Sequence, residues 1–293
     1  MELPELNIIT ISRVHQLIEW KRYKEALEEA KKVIQEDPEY SEGYAITALI
    51  YYHLDEYDKA LYWCDEALRR DPENLQAWYV KTITYYDMES WKQFDATVED
   101  AIALDPEEAA YYFLKANREQ TRSNFKQAKE LMLTALEIAP DYAVYLANLS
   151  YIEALLGNFA ASKELEEEAL RHEVESKHVY LYLSWAADKR GDDQSQLLYL
   201  KNAIQLDPDN EQIRSEYLEG LQKTYLFYRI VLAPSKLLKK LKPWQILLSW
   251  AIAWFLFKPL ILIFLVVYVL AYWSSKLLVH VKVYGWRFGR PKG

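Results

Sequence analysis

A single cysteine, Cys64, stands in 293 residues, so no intrachain disulfide can form and nothing points to an oxidising compartment. Glycine is scarce as well, with seven residues in all, and no glycine-rich phosphate loop, nucleophile elbow or paired-histidine metal motif appears. The five histidines, His15, His53, His172, His178 and His280, are scattered. Carboxylates occur on every predicted helix, so no pair of them stands out as catalytic. Neither an enzyme nor a cofactor or metal site is expected. The most uneven shortage is of negative charge: residues 233–293 hold ten Lys or Arg and no Asp or Glu. The formal charge of −9 therefore divides into −19 for the first 232 residues (25 minus 44) and +10 for the rest. An acidic body with a basic, apolar tail argues against nucleic-acid binding by the body and suggests that the tail meets something anionic. The segment Met1 to Leu6 is too short to form an element. It lacks the charged start and long apolar run of a secretory signal, so the body is expected in the cytosol.

What is present is a ruler. Prolines stand at 38, 72, 106, 140 and 208, spaced by 34 residues with one vacancy at Val174, and four of the five follow Asp. Proline has no amide hydrogen and clashes with the preceding turn, so Asp-Pro after an apolar-periodic run reads as a helix stop and a short connection. Other positions keep the same register. Ala67, Ala101, Ala135, Ala169 and Ala203 form an alanine series that runs through the unit without its proline. Tyr44, Trp78, Tyr112, Leu146 and Tyr180 form a large-residue series, and Ala48, Thr82, Ala116, Ser150 and Ser184 a small one. Large and small residues alternating at fixed places describe an interlocking, close-packed interior. Cys64 falls on a packing position and is expected to be an inert buried thiol.

A helix-turn-helix unit of this length, with an early aromatic, small residues at fixed offsets and a late proline, resembles the tetratricopeptide repeat. The best copy runs from Ser41 to Asn74, where Tyr44, Ala48, Tyr51, Ala60, Ala67 and Pro72 match the family pattern. Gly157 and Gly191 sit where the family often places a glycine between its two helices. Phe94 and Gln196 depart from a small position, and Val174 from the proline. The resemblance implies an all-α, right-handed superhelical solenoid of about six repeats, at 7–40, 41–74, 75–108, 109–142, 143–176 and 177–210. It covers some two thirds of the chain and implies a fold more strongly than a role.

The first repeat begins with Ile8, Ile9 and Ile11, which either fold back over the end of the array or offer it a partner. Polar breaks at Asp55-Glu56, Ser90, Ser123-Asn124, Gly157-Asn158 and Gly191 to Asp193 are too short for anything but antiparallel helix pairs. Glu164 and the run Glu166 to Glu168 are expected on a solvated outer wall. Residues 211–232 read as one capping helix, with Asn210 capping its start and Ile213, Tyr217, Leu221, Tyr225 and Tyr228 at helical spacing. The sequon at Asn148-Leu149-Ser150 falls within a predicted helix and is incidental.

The family geometry implies that the first helix of each repeat lines a concave wall. Its inward offsets select Tyr52, Tyr79, Ile83, Tyr86, Phe113, Asn117, Gln120, Asn148, Tyr151, His178, Leu181, Tyr182 and Trp185. Such a wall is aromatic with a few amides and nearly free of Lys and Arg. Amides can hold an extended peptide backbone, and aromatic faces take apolar or proline side chains; filling the coil's interior would use the same residues. One subclass of the family grips C-terminal carboxylates with Lys, Arg and Asn. Here Asn117 and Asn148 stand at its asparagine positions, but Phe113, His178 and Tyr182 replace the basic ones, and a carboxylate without cations is poorly held. The expected ligand is a neutral or basic, apolar-rich segment of another protein.

After Pro234 the composition changes. Residues 233–243 form a basic amphipathic linker suited to a membrane surface, with Lys236, Lys239, Lys240 and Lys242. Two apolar runs of 14 residues follow, Trp244 to Phe257 and Leu260 to Trp273, separated by Lys258-Pro259. At ~1.5 Å per residue each run spans about 21 Å, short of the ~30 Å hydrocarbon layer unless flanking residues join in. Lys276, Lys282, Arg287 and Arg290, within a basic tail at 276–293, follow the runs. Positive residues on both flanks favour one cytoplasmic side, which favours reading 244–275 as a helical hairpin with Lys258 and Pro259 at its tip, crossing the bilayer or stopping partway, over a single pass by one long helix. The expectation is thus a scaffold anchored at the cytoplasmic membrane surface. A hairpin that bends or organises membrane, with the array as spacer or oligomer contact, is the alternative.

Overall fold

A computed structural model describes residues 3–172, 175–223, 265–279 and 281, and among them every regular element is an α-helix. The chain divides into two compact units, Met1–Tyr145 and Leu146–Gly293. The first holds α1 (Leu3–Glu19), α2 (Tyr23–Glu36), α3 (Ser41–His53), α4 (Tyr57–Arg70), α5 (Leu75–Asp87), α6 (Trp91–Leu104), α7 (Ala109–Thr121) and α8 (Phe125–Ile138). Helix α9 (Ala143–Leu156) carries the boundary. The second unit continues with α10 (Phe159–Ala169), α11 (Lys177–Arg190), α12 (Asp193–Leu206), α13 (Glu211–Lys223) and a last helix, α14, over 265–279.

The Asp-Pro stops act through two hydrogen bonds. Asp37, Asp71 and Asp105 are the C-caps of α2, α4 and α6, and each carboxylate accepts the N–H two residues on, from Glu39 (3.1 Å), Glu73 (3.0 Å) and Glu107 (3.3 Å). This Asx turn gives the chain a local alternative to another helical bond. Six residues after each proline, an aromatic of the next helix donates to the proline's carbonyl: Tyr44 to Pro38 (3.0 Å), Trp78 to Pro72 (2.8 Å) and Tyr112 to Pro106 (3.1 Å). In the second unit Arg214 does the same to Pro208 at 2.5 Å.

The connection inside each helix pair repeats as closely. Lys21, Asp55, Glu89, Ser123, Gly157 and Gly191, each 34 residues from the last, all have positive φ, from 52° to 84°. At each, two N–H groups turn back on the preceding helix, as in Asp55 N to the Tyr52 carbonyl and Glu56 N to that of Tyr51, both at 3.0 Å. This Schellman closure satisfies carbonyls that the helix end would leave bare and sends the next helix back antiparallel.

Small residues let the helices approach. Ala67, Ala101 and Ala135 in the first unit, and Ala169 and Ala203 in the second, are all buried, as is Cys64. At the Phe94 departure the ring is fully buried and takes edge contacts from Tyr86 and Trp91, so an aromatic cluster fills the space beside it.

Several expectations need correction. Met1 to Leu6 is not too short for an element: α1 starts at Leu3, and Pro4 in its first turn has no helical partner for an N–H to lose. Ile11 packs on the first pair's core with Val14, Leu17 and Ile18. Glu166 is not on a solvated wall; it is fully buried, whereas Glu164, Glu167 and Glu168 are exposed. Its carboxylate is paired with Arg190 and Lys163 and accepts from Tyr199 at 2.8 Å. Arg190 also donates to Ser162 Oγ at 2.6 Å, and Ser150 Oγ lies 3.2 Å from that hydroxyl.

Helix α13 is capped by Asn210, whose Oδ1 accepts from Ile213 N at 3.0 Å, and Ile213 and Tyr217 pack on Leu181, Leu200 and Ala203. The expected remainder of this helix, 224–232, lies outside the described residues, as do the linker lysines Lys236, Lys239, Lys240 and Lys242, the tip Lys258 and Pro259, and Lys282, Arg287 and Arg290. Of the expected hairpin, 265–275 is described; α14 carries it past 275 to 279, with Lys276 Nζ 5.3 Å over the Tyr272 ring. Among the described residues no helix is long and apolar enough to cross a membrane. The apolar side chains of α14 are nonetheless exposed, Leu270 at 60% and Trp273 at 66%.

Candidate functional site

The wall candidates divide between the two units. In the first, Tyr52, Tyr79, Ile83, Tyr86 and Phe113 join one apolar cluster with Phe94, Tyr111 and Leu114. Four of them stay partly exposed, while Ile83 is buried. The rings are held from both sides: Tyr79 lies 6.3 Å from Tyr111, Tyr86 is edge-on to Phe94 at 5.4 Å, and Phe113 tilts on Tyr145 at 5.1 Å. Tyr52 of α3 donates to Asp87 Oδ2 of α5 at 2.6 Å. Burial and that carboxylate together push the Tyr52 phenol far above its ordinary range, so it stays a neutral donor.

The amides are less available. Gln120 Nε2 donates to Asn117 Oδ1 at 3.0 Å, and Asn117 is buried. Asn148, in the second unit, is fully buried, and Leu181 nearly so. Asn117, Asn148, Leu181 and Ile83 thus sit in the core and have little surface to offer a peptide, whereas Gln120 stays partly exposed.

In the second unit Trp185 gathers two other candidates, with Tyr151 at 5.7 Å and Tyr182 edge-on at 5.4 Å. His178, two turns before Trp185 on α11, is exposed. Trp185 Nε1 donates to Glu216 Oε2 at 2.8 Å, and Gln212 Nε2 donates to Glu216 Oε1 at 3.1 Å, which fixes the indole plane against α13. Here the helices leave a cleft of about 320 Å³, lined by Tyr151, Trp185, Asp188, Lys189, Gln196, Glu216 and Glu219. Burial raises the Tyr151 phenol, and Asp188 and Glu216 raise it further.

Asp188 of α11 and Glu216 and Glu219 of α13 were not among the expected wall residues, the last two because α13 reads as a cap. A signal was present. Counting 34 from Tyr182 and Trp185 gives Glu216 and Glu219, so the inward offsets continue one helix beyond the last repeat. Among the described residues no cluster of His, Cys, Asp or Glu could hold a metal ion.

The geometry has relatives. Residues 19–101 match the family model described as "Anaphase-promoting complex, cyclosome, subunit 3". No curated protein sequence matches the chain. Among solved structures, the APC/C hetero-tetramer Cut9-Hcn1 is similar with a TM-score of 0.62 at 13% identity, over 73% of this chain and 42% of that one. The chain thus spans well under half the length of that relative. PilF of Pseudomonas aeruginosa is similar at a TM-score of 0.60 and 15% identity, over 74% of this chain and 97% of that one. A tetratricopeptide repeat protein from Parabacteroides merdae follows at 0.58 and 14%, over 72% and 82%. At such identities the likeness is one of fold.

Proposed function

From the tetratricopeptide-repeat fold as premise, we propose that this chain is a non-enzymatic scaffold that binds a segment of another protein and is held at a membrane surface by its C-terminal region. The observation that carries the first half is the set of partly exposed rings, Tyr52, Tyr79, Tyr86 and Phe113 in one unit and Tyr151, Tyr182 and Trp185 in the other. Rigid aromatic faces bury much area at little entropic cost, which suits an apolar-rich, neutral or basic polypeptide better than an acidic one. The Cut9-Hcn1 structure is of a hetero-tetramer, and a role in assembly enters here by analogy.

The membrane half rests on α14, whose exposed leucines, valines and Trp273 have only lipid or protein as a favourable neighbour, and on the basic charge of 233–293. Attachment at the surface would raise the local concentration of scaffold and partner together. Site-specific photocrosslinking in cells from Phe113 or Trp185, with identification of the adduct, tests the first half. One dominant polypeptide crosslinked at these sites is expected; crosslinks no more selective than those from an exposed outer position such as Glu167 overturn it. Flotation of the full chain with anionic vesicles tests the second half, and a chain that stays at the bottom of the gradient removes it. Deformation of protein-free liposomes by the pure chain would favour the membrane-organising alternative.

A further inference from the structure

The cleft in the second unit has a chemistry of its own. Three carboxylates, Asp188, Glu216 and Glu219, line it against one ammonium, Lys189, a balance of −2 around two aromatic rings. Glu216 accepts from an indole and an amide, both neutral, so those bonds orient its charge without cancelling it. Burial raises the Tyr151 phenol first, and Asp188 and Glu216, which disfavour a further negative charge there, raise it further. An anion or a carboxylate terminus is repelled, and a purely apolar side chain would bring nothing to the Glu219 carboxylate. A planar cation satisfies every wall at once: it stacks on an aromatic face while its edge donates to carboxylates.

We propose that this cleft takes one arginine side chain of the bound partner segment, its guanidinium over Trp185 and Tyr151 and its N–H groups toward Glu219. The inference rests on the scaffold reading and names the chemistry recognised at one part of it. Lysine fits less well, because its ammonium is a strongly hydrated point charge that cannot stack flat.

The probe is N-acetyl-arginine methylamide, with the near-isosteric, neutral N-acetyl-citrulline methylamide beside it. Each is titrated into the full chain while the Trp185 indole N–H resonance, assigned with Trp185→Phe, is followed. The arginine compound is expected to shift that resonance saturably and the citrulline compound to leave it in place. Glu219→Gln, at an exposed position, should weaken the arginine response about tenfold, the loss of one charge-assisted contact. Equal shifts from both compounds, no saturable shift from the arginine compound, or a Glu219→Gln response equal to that of the unaltered chain would overturn the proposal. The scaffold reading is separable, since selective crosslinking from Phe113 and Trp185 would leave it standing after any of these results.

Discussion

Arg190 of α11 meets the carboxylate of Glu166 of α10 where both side chains are out of solvent, 8% and 1% exposed. Positions 30, 64, 98, 132 and 200, in the same register as Glu166, carry Ala, Cys, Val, Met and Leu, all buried. A charge has therefore replaced an apolar core residue, and Arg190, with help from Lys163 and Tyr199, compensates it. Removing one partner leaves the other charge buried, so Glu166→Gln or Arg190→Ala is expected to destabilise by about 3–5 kcal/mol. The joint replacement Glu166→Met, Arg190→Leu, Tyr199→Phe removes both desolvation costs without stranding the Tyr199 hydroxyl and is expected to be neutral or stabilising by up to ~4 kcal/mol. Urea unfolding of the three variants decides between a pair that stabilises and one that is merely tolerated.

Helix pairs and their stops were legible because backbone chemistry is local: a proline marks its own turn wherever the chain goes. Glu166 was not, because four nearby glutamates look alike until the register column is read down instead of along. For the wall candidates the sequence supplies a register and not an exposure. The offset that leaves Trp185 at a cleft places Ile83 inside a core and Glu219 on a helix beyond the array. Which of these is reachable depends on how neighbouring side chains pack, and no spacing rule contains that.

The left-handed residues make a second prediction. Four of the six pair connections ask a side-chain-bearing residue, Lys21, Asp55, Glu89 or Ser123, to hold a positive φ that Gly157 and Gly191 adopt without strain. Each of Lys21→Gly, Glu89→Gly and Ser123→Gly is expected to raise stability by ~1 kcal/mol, the cost of a left-handed L-residue less the added freedom of the unfolded chain. Gly191→Ala should lose a similar amount. No atom lies within 4 Å of where its Cβ would stand, so the loss is one of backbone conformation alone. Thermal unfolding of this series, read against Gly191→Ala, is the measurement.

Cys64 gives a third. It is fully buried between α3, α4 and α5 in contact with Ala48 and Val80, and burial pushes its thiol up to about 12 despite the opposing charge of Lys81. The thiolate is the reactive form, so at neutral pH both access and ionisation are withheld. A disulfide reagent is expected to label the native chain only as fast as the first unit opens, with a rate that levels off as reagent is raised. A rate that keeps rising in proportion to reagent would mean that the thiol is reached from the folded state.

The bonds to proline carbonyls allow a graded test. Tyr112 is the one donor described for Pro106, whereas the Pro38 carbonyl is shared by Tyr44 and by Arg70 Nε at 2.8 Å, with the Arg70 guanidinium stacked 3.7 Å over the Tyr44 ring. Phenylalanine keeps each ring in place and removes the hydroxyl alone. Tyr112→Phe should therefore cost about 0.5–1 kcal/mol, an ordinary net hydrogen bond at a wet site. Tyr44→Phe should cost less than half of that, because Arg70 still donates to the carbonyl that the hydroxyl leaves. The double change Tyr44→Phe, Arg70→Leu then strips Pro38 of both donors, and its loss should exceed the sum of the single changes. If the three losses simply add, the two donors act independently, and the aromatic position is kept for its ring and not for its hydrogen bond.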